Sequence, residues 1–120
     1  MIKDHKDLVV WQKAMDLVIQ VYKIVKTFPI EEKYGLSDQM RRAAVSIPSN
    51  IAEGYQRGSD RELSHFLRIA LGSSAELETQ LILCGRLGLA GKERTDEVIK
   101  HNNEIGKMLN AFIKKLTADG

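Results

Sequence analysis

A single cysteine, Cys84, stands in the 120 residues, so no intrachain disulfide can hold the chain together and packing has to do so. Only two prolines occur, Pro29 and Pro48, and no polar low-complexity tract marks a disordered region. Uncharged runs are far shorter than the roughly 18 residues a membrane span needs, so no membrane partner is expected. The beginning, MIKDHKDLVVWQKAMD, mixes acids and bases around its apolar residues, unlike a signal peptide, and a cytoplasmic location is the expectation. An excess of one charge is missing too. The 18 Lys and Arg are interspersed with 16 Asp and Glu, and a net charge of +2 argues only weakly for a nucleic-acid partner. Aromatic residues make up 6% and fall mostly in apolar stripes, which leaves no platform for stacking bases.

What is present is a helical pattern over a length suited to one domain, residues 1–120. Leu8, Trp11, Met15, Val18, Tyr22 and Val25 recur at three and four, which predicts a first helix from Asp7 to Phe28, stopped by Pro29. Val10, Ala14, Leu17, Val21, Ile24 and Phe28 form a second stripe on the same helix. Together the two cover more than the ~100° arc one core-facing helix needs, so the surplus is expected at a subunit or partner contact. PIEEKYG is expected as a loop and Ser37 as the cap of a second helix over 38–57, with Met40, Ala44, Ile47, Ile51 and Tyr55 inward. Gly58 fits a left-handed stop, and Ser59 with Glu62 has capping-box spacing, which predicts a tight antiparallel hairpin into a third helix. That helix carries Leu63, Phe66, Leu67, Ala70, Leu77, Leu81 and Cys84 inward and ends near Gly88, with Leu89 placed for a Schellman stop. Its small Gly72, Ser73, Ser74 and Ala75 would let a neighbouring helix come close. A fourth helix starts between Lys92 and Asp96 and sets Val98, Asn102, Ile105, Leu109, Phe112 and Leu116 at coiled-coil spacing. Asn102 either fixes register or lies at a solvated end.

Pro48 interrupts this regularity. A proline inside a helix loses one backbone hydrogen bond and crowds the carbonyl four residues back, here Ala44, at a cost of ~3 kcal/mol. A restart would need Ile47 as its cap, a poor choice, and the inner stripe keeps helical phase across the proline. A continuous helix kinked at Pro48 is therefore expected, with a restart capped through Asn50 and Glu53 as the alternative. Arg42, Ser46, Ser49 and Glu53 share the polar outer face of that wheel.

Catalytic, cofactor and metal chemistry finds no foothold. Glu62 and His65 form one Glu-x-x-His pair where a di-metal bundle uses two, and Glu97 with His101 has no third ligand. His5 lies near an end expected to fray. The serines lack a nucleophile motif, the glycines form no phosphate loop, and Cys84 is expected as a buried, reduced thiol. No enzyme is expected.

The stretch QMRRAAVSIPSNIAEGYQRGSDRELSHFLRIALGSSAELETQLILCGRLG, residues 39–88, strongly resembles the family of 23S rRNA-intervening-sequence proteins, and LVVWQKAMDL resembles that family's start. The likeness rests on the arginine pair, the run from Ile47 through Gly54, Gly72-Ser73 and the run from Glu76 through Leu81. The resemblance implies an all-α, antiparallel up-down-up-down four-helix bundle that assembles as a homopentamer. It also implies similarity to the accessory variability determinant proteins of diversity-generating retroelements, pentamers that bind nucleic acid and a reverse transcriptase. Those are expected to be strongly basic, whereas this chain is nearly balanced.

Two functions of different class follow. In one, Arg41, Arg42, Arg57, Arg61 and Arg68 on the hairpin of helices 2 and 3, with Lys107, Lys114 and Lys115 on helix 4, form a surface that a ring of copies repeats toward RNA or DNA. In the other, the homo-oligomer is a protein-interaction scaffold, with Val10, Ala14, Leu17, Val21, Ile24, Gly72 and Ser73 as the candidate interface. Pairing of Arg41 and Arg42 with Glu53, Glu76 or Glu78 is the structural alternative to phosphate contact.

Overall fold

Each apolar stripe gives one helix one face to bury, and the computed structural model, which describes residues 2–32 and 35–118, shows how the faces meet. Among the described residues there are four α-helices, α1 (Val9–Val25), α2 (Leu36–Gln56), α3 (Asp60–Arg86) and α4 (Lys92–Thr117), and no strand. They touch in cyclic order, α1 on α2, α2 on α3, α3 on α4 and α4 back on α1, in a bundle of 47 × 22 × 20 Å. This is the all-α four-helix architecture that the stripes and the resemblance predict.

The described residues 3–8 before α1 are tied down rather than frayed. Asp4 accepts the Lys6 N–H at 2.8 Å, capping a 3-10 turn over His5–Asp7. Backbone N–H groups of Lys3 and Asp4 hold the Asp7 carboxyl below the usual carboxylate range. The His5 ring stands edge-on to Trp11 at 5.3 Å, and its Nδ1 lies 3.4 Å from the Gln56 amide on α2.

The second stripe of α1 is its core face. Val10, Ala14, Leu17, Val21 and Ile24, expected as a subunit interface, are buried inside the bundle, so they cannot meet another copy. Of the first stripe, Leu8 and Val25 are buried, Trp11 and Val18 half-buried and Met15 and Tyr22 exposed, and Ile19, which belongs to neither stripe, is exposed beside them. In the loop PIEEKYG, Lys33 and Tyr34 lie outside the described residues, and Ile30–Glu32 forms a 3-10 turn. Ser37 is not the cap of α2. Gly35 takes that position, and Ser37 is buried in the first turn.

Pro48 lies buried within an unbroken α2, and Met40, Ala44, Ile47 and Ile51 are all fully buried across it, so no restart occurs. Packing of that face offsets the lost hydrogen bond. The outer-face reading holds for Ser49 and Glu53 but not for Ser46, whose hydroxyl meets that of Ser73 on α3 at 2.8 Å. Asn50 reinforces the contact by donating to the Ser46 carbonyl at 2.8 Å and to its hydroxyl at 2.9 Å. The Ser-Ile-Pro-Ser-Asn run thus combines a buried ridge with a polar seam between α2 and α3.

That seam closes in a tight turn. Gly58 has φ +85°, which only glycine adopts without strain, and the Ser59 hydroxyl oxygen accepts the Glu62 N–H at 3.2 Å. The close approach of the hairpin is at Gly54, where a Cβ would sit 2.7 Å from the Phe66 Cβ and 3.3 Å from the Leu63 Cα. At Gly72, by contrast, a Cβ would meet nothing within 4 Å. α3 ends as expected, with Gly88 at φ +71° and a Schellman pair in which Leu89 N–H donates to the Cys84 carbonyl and Gly88 N–H to that of Gly85.

On α4, Val98, Asn102, Ile105 and Leu109 are buried as their spacing predicts. Beyond them Ile113 is buried and Phe112 is only partly so, because a straight helix drifts from a 3.5-residue repeat by about 20° per heptad. Asn102 is in the core, not at a solvated end. The Ser74 hydroxyl donates to its Oδ1 at 2.8 Å, and its Nδ2 donates to the Ser74 carbonyl at 2.9 Å. Burial pushes the Cys84 thiol up from its ordinary value, the Thr95 hydroxyl partly opposing, so it is held as an inert thiol.

Candidate subunit and nucleic-acid surfaces

Antiparallel register decides which of the eight candidate cations share a surface. Ser46 against Ser73 and Gly54 against Phe66 set α2 on α3, and Ser74 against Asn102 sets α3 on α4. Extending these pairings brings Arg57, Arg61, Lys114 and Lys115 to one end of the bundle. Arg41 and Arg42, near the start of α2, belong to the opposite end, and Arg68 and Lys107 lie between. The expected single patch is therefore split.

The local environments differ as well. Arg57 reaches Glu53 at 3.3 Å and Glu62 at 4.0 Å, with its guanidinium 5.1 Å from the Phe66 ring centre. Arg42 pairs with Asp38 at 3.2 Å, one turn back on α2. That acid was not among those expected; it is an i,i+4 neighbour on the same helix, a spacing at which opposite charges meet. Arg41 is half-buried with its guanidinium 5.9 Å from the Tyr22 ring centre. Arg61, Arg68, Lys107, Lys114 and Lys115 are exposed. Of the candidate interface residues on α3, Gly72 is exposed and Ser73 is half-buried against Ser46.

The exposed apolar surface of α1 lies on the outer α1–α2 face. Ile19 is 53% exposed and Tyr22 46% exposed, next to Met15 on α1 and Val45 on α2. A shallow groove of about 790 Å³ runs here, lined by Val18, Ile19, Tyr22, Lys23, Val25, Lys26 and Arg41. Its floor is apolar and its charged residues are all cations. The signal that could have found it is Trp11 and Tyr22, whose polar tips suit a half-exposed stripe better than a core.

The α1–α4 seam is polar instead. Lys13 Nζ meets Glu104 Oε1 at 2.6 Å, which holds that carboxyl below the usual range, and His101 Nδ1 lies 2.8 Å from Gln20 Oε1. A small cleft of about 150 Å³ lies over these groups. Among the described residues no three His, Cys, Asp or Glu side chains are arranged to hold a metal ion, and no helix is long and apolar enough to cross a membrane.

The architecture is shared by solved structures. One is a crystal structure of a protein with unknown function from the S23 ribosomal protein family from Bacteroides thetaiotaomicron. It is 30% identical, with a TM-score of 0.82, over 88% of this chain and 96% of its own. None of the curated proteins is significantly similar. The profile of the 23S rRNA-intervening sequence proteins matches residues 6–111, which takes in all of α1, α2 and α3 and most of α4. This bundle, with its proline-bearing second helix, belongs to the 23S rRNA-intervening sequence protein family.

Proposed function

We propose that the chain is a non-enzymatic, homo-oligomeric bundle protein that works as an interaction scaffold, five copies being the number the family resemblance implies. The observation that carries this reading is the open apolar face of α1 and α2, where Met15, Ile19, Tyr22 and Val45 lie side by side in solvent. A contiguous apolar surface rimmed by charge is a protein contact waiting for its partner. The split of the arginines favours a scaffold over a nucleic-acid surface in the single chain.

A second reading is supported by Arg61, Lys114 and Lys115, exposed together at one end of the bundle. Cyclic assembly would repeat them, and phosphate contacts repeated in this way give tight, salt-sensitive binding.

Light scattering on the eluting protein, with the nucleic-acid to protein absorbance ratio recorded at low and high salt, tests both. A scaffold gives a mass that is a multiple of the 13.5 kDa chain, no nucleic-acid absorbance and little salt effect. Ile19→Asp, at an exposed position, is expected to yield a folded single chain. A wild type that stays monomeric overturns the homo-oligomeric reading. Co-eluting nucleic acid that high salt strips, and that Arg61→Ala with Lys115→Ala abolishes, overturns the scaffold in favour of the second reading.

A further inference from the structure

The turn between α1 and α2 holds the most exposed large apolar side chain of the described residues, Ile30, at 80%. It sits on a 3-10 turn closed by the Glu32 N–H to the Pro29 carbonyl at 3.0 Å and followed by the Gly35 N–H to the Glu32 carbonyl at 3.2 Å. Glu31 is exposed beside it and Glu32 half-buried. The turn thus presents an apolar knob flanked by two carboxylates. The α1–α2 groove has the reciprocal character, an apolar floor bordered by Lys23 and Lys26, with no carboxylate among its lining residues. Within one chain the two do not satisfy each other, since Ile30 stays in solvent.

We propose that the Ile30–Glu32 turn of one copy seats in the α1–α2 groove of a second copy, Ile30 on the apolar floor and Glu31 and Glu32 facing Lys23 and Lys26. This rests on the homo-oligomeric reading and names the contact that makes the oligomer. The match is one of both hydropathy and sign: a phosphate backbone would satisfy the lysines but leave the floor uncovered, whereas this turn meets both.

Charge exchange tests it on the full chain. Three variants are compared with wild type by light scattering over a dilution series: Glu31→Lys with Glu32→Lys, Lys23→Glu with Lys26→Glu, and all four together. Far-UV circular dichroism checks that each keeps its helices. Each double variant is expected to assemble at least tenfold more weakly, and the fourfold exchange to restore the wild-type mass, because the complementary pair is rebuilt with reversed sign. Ile30→Asp is expected to dissociate the assembly without rescue by the exchange. If wild type is oligomeric but the double variants assemble equally well, or the fourfold exchange fails to rescue, this contact is wrong while the homo-oligomeric reading stands. If wild type is a monomer, both fall.

Discussion

Gly54→Val is expected to destabilise the fold by about 3 kcal/mol or more, lowering the thermal midpoint on the order of 10 °C by far-UV circular dichroism. The cause is local. A Cβ at position 54 would lie 2.7 Å from the Cβ of Phe66 and 3.3 Å from the Cα of Leu63, so α2 and α3 would have to move apart along their most extensive contact. Flexible side-chain ends can yield to such a group, but a Cβ and a Cα move only with their helix. Gly54→Ala should be milder, since alanine's better helix propensity returns about 1 kcal/mol. Gly72→Ala is the matched control. It lies in a helix of the same hairpin with nothing within 4 Å, so it should be neutral or stabilising in the single chain. Equal loss at both positions would mean that the close approach at Gly54 is not what holds the hairpin.

Asn102→Ala is the second large effect expected, a loss of about 2 kcal/mol or more in urea denaturation. It removes both hydrogen bonds to Ser74 and leaves the serine hydroxyl buried beside a cavity. Replacing the pair together, Ser74→Ala with Asn102→Leu, should recover most of that loss, because an apolar pair carries no polar group to satisfy. A double-mutant cycle of Ser74→Ala and Asn102→Ala gives the coupling between α3 and α4 directly. A single variant as stable as wild type would show that water or another group already satisfies Ser74.

Much of the fold could be read before any coordinates. The left-handed Gly58, the Schellman stop at Gly88 and the Ser59 cap all came from residues whose backbone demands are local. So did the unbroken α2, because helical phase across Pro48 is a property of one element. What was not legible depended on neighbours. Both stripes of α1 are apolar, and only the placement of α2 and α4 decides that Val10, Ala14, Leu17, Val21 and Ile24 face inward while Met15 and Tyr22 face out. Asn102 reads equally well as a surface residue until Ser74 is brought opposite it. Small residues at 72 and 73 drew attention as the close-packing point, yet that point is Gly54, since a glycine on a wheel does not say which helix lies above it. The arginines were close in sequence, but helical rise carried Arg41 and Arg57 to opposite ends of α2, on the order of 24 Å apart.

The α1–α4 seam is where the bundle is expected to open first. α1 shares the least contact with its neighbour α4, and the solvent-accessible pair of Lys13 with Glu104 spans that seam beside His101 and Gln20. Because Glu104 titrates below its ordinary range, the support it lends is complete above the usual carboxylate pKa and fades as acid carries the pH down through the depressed one. The α2–α3 hairpin, built from contacts near in sequence, is then expected to exchange its amides last, and α1 to lift first as a strap, an order that native-state hydrogen exchange reads directly.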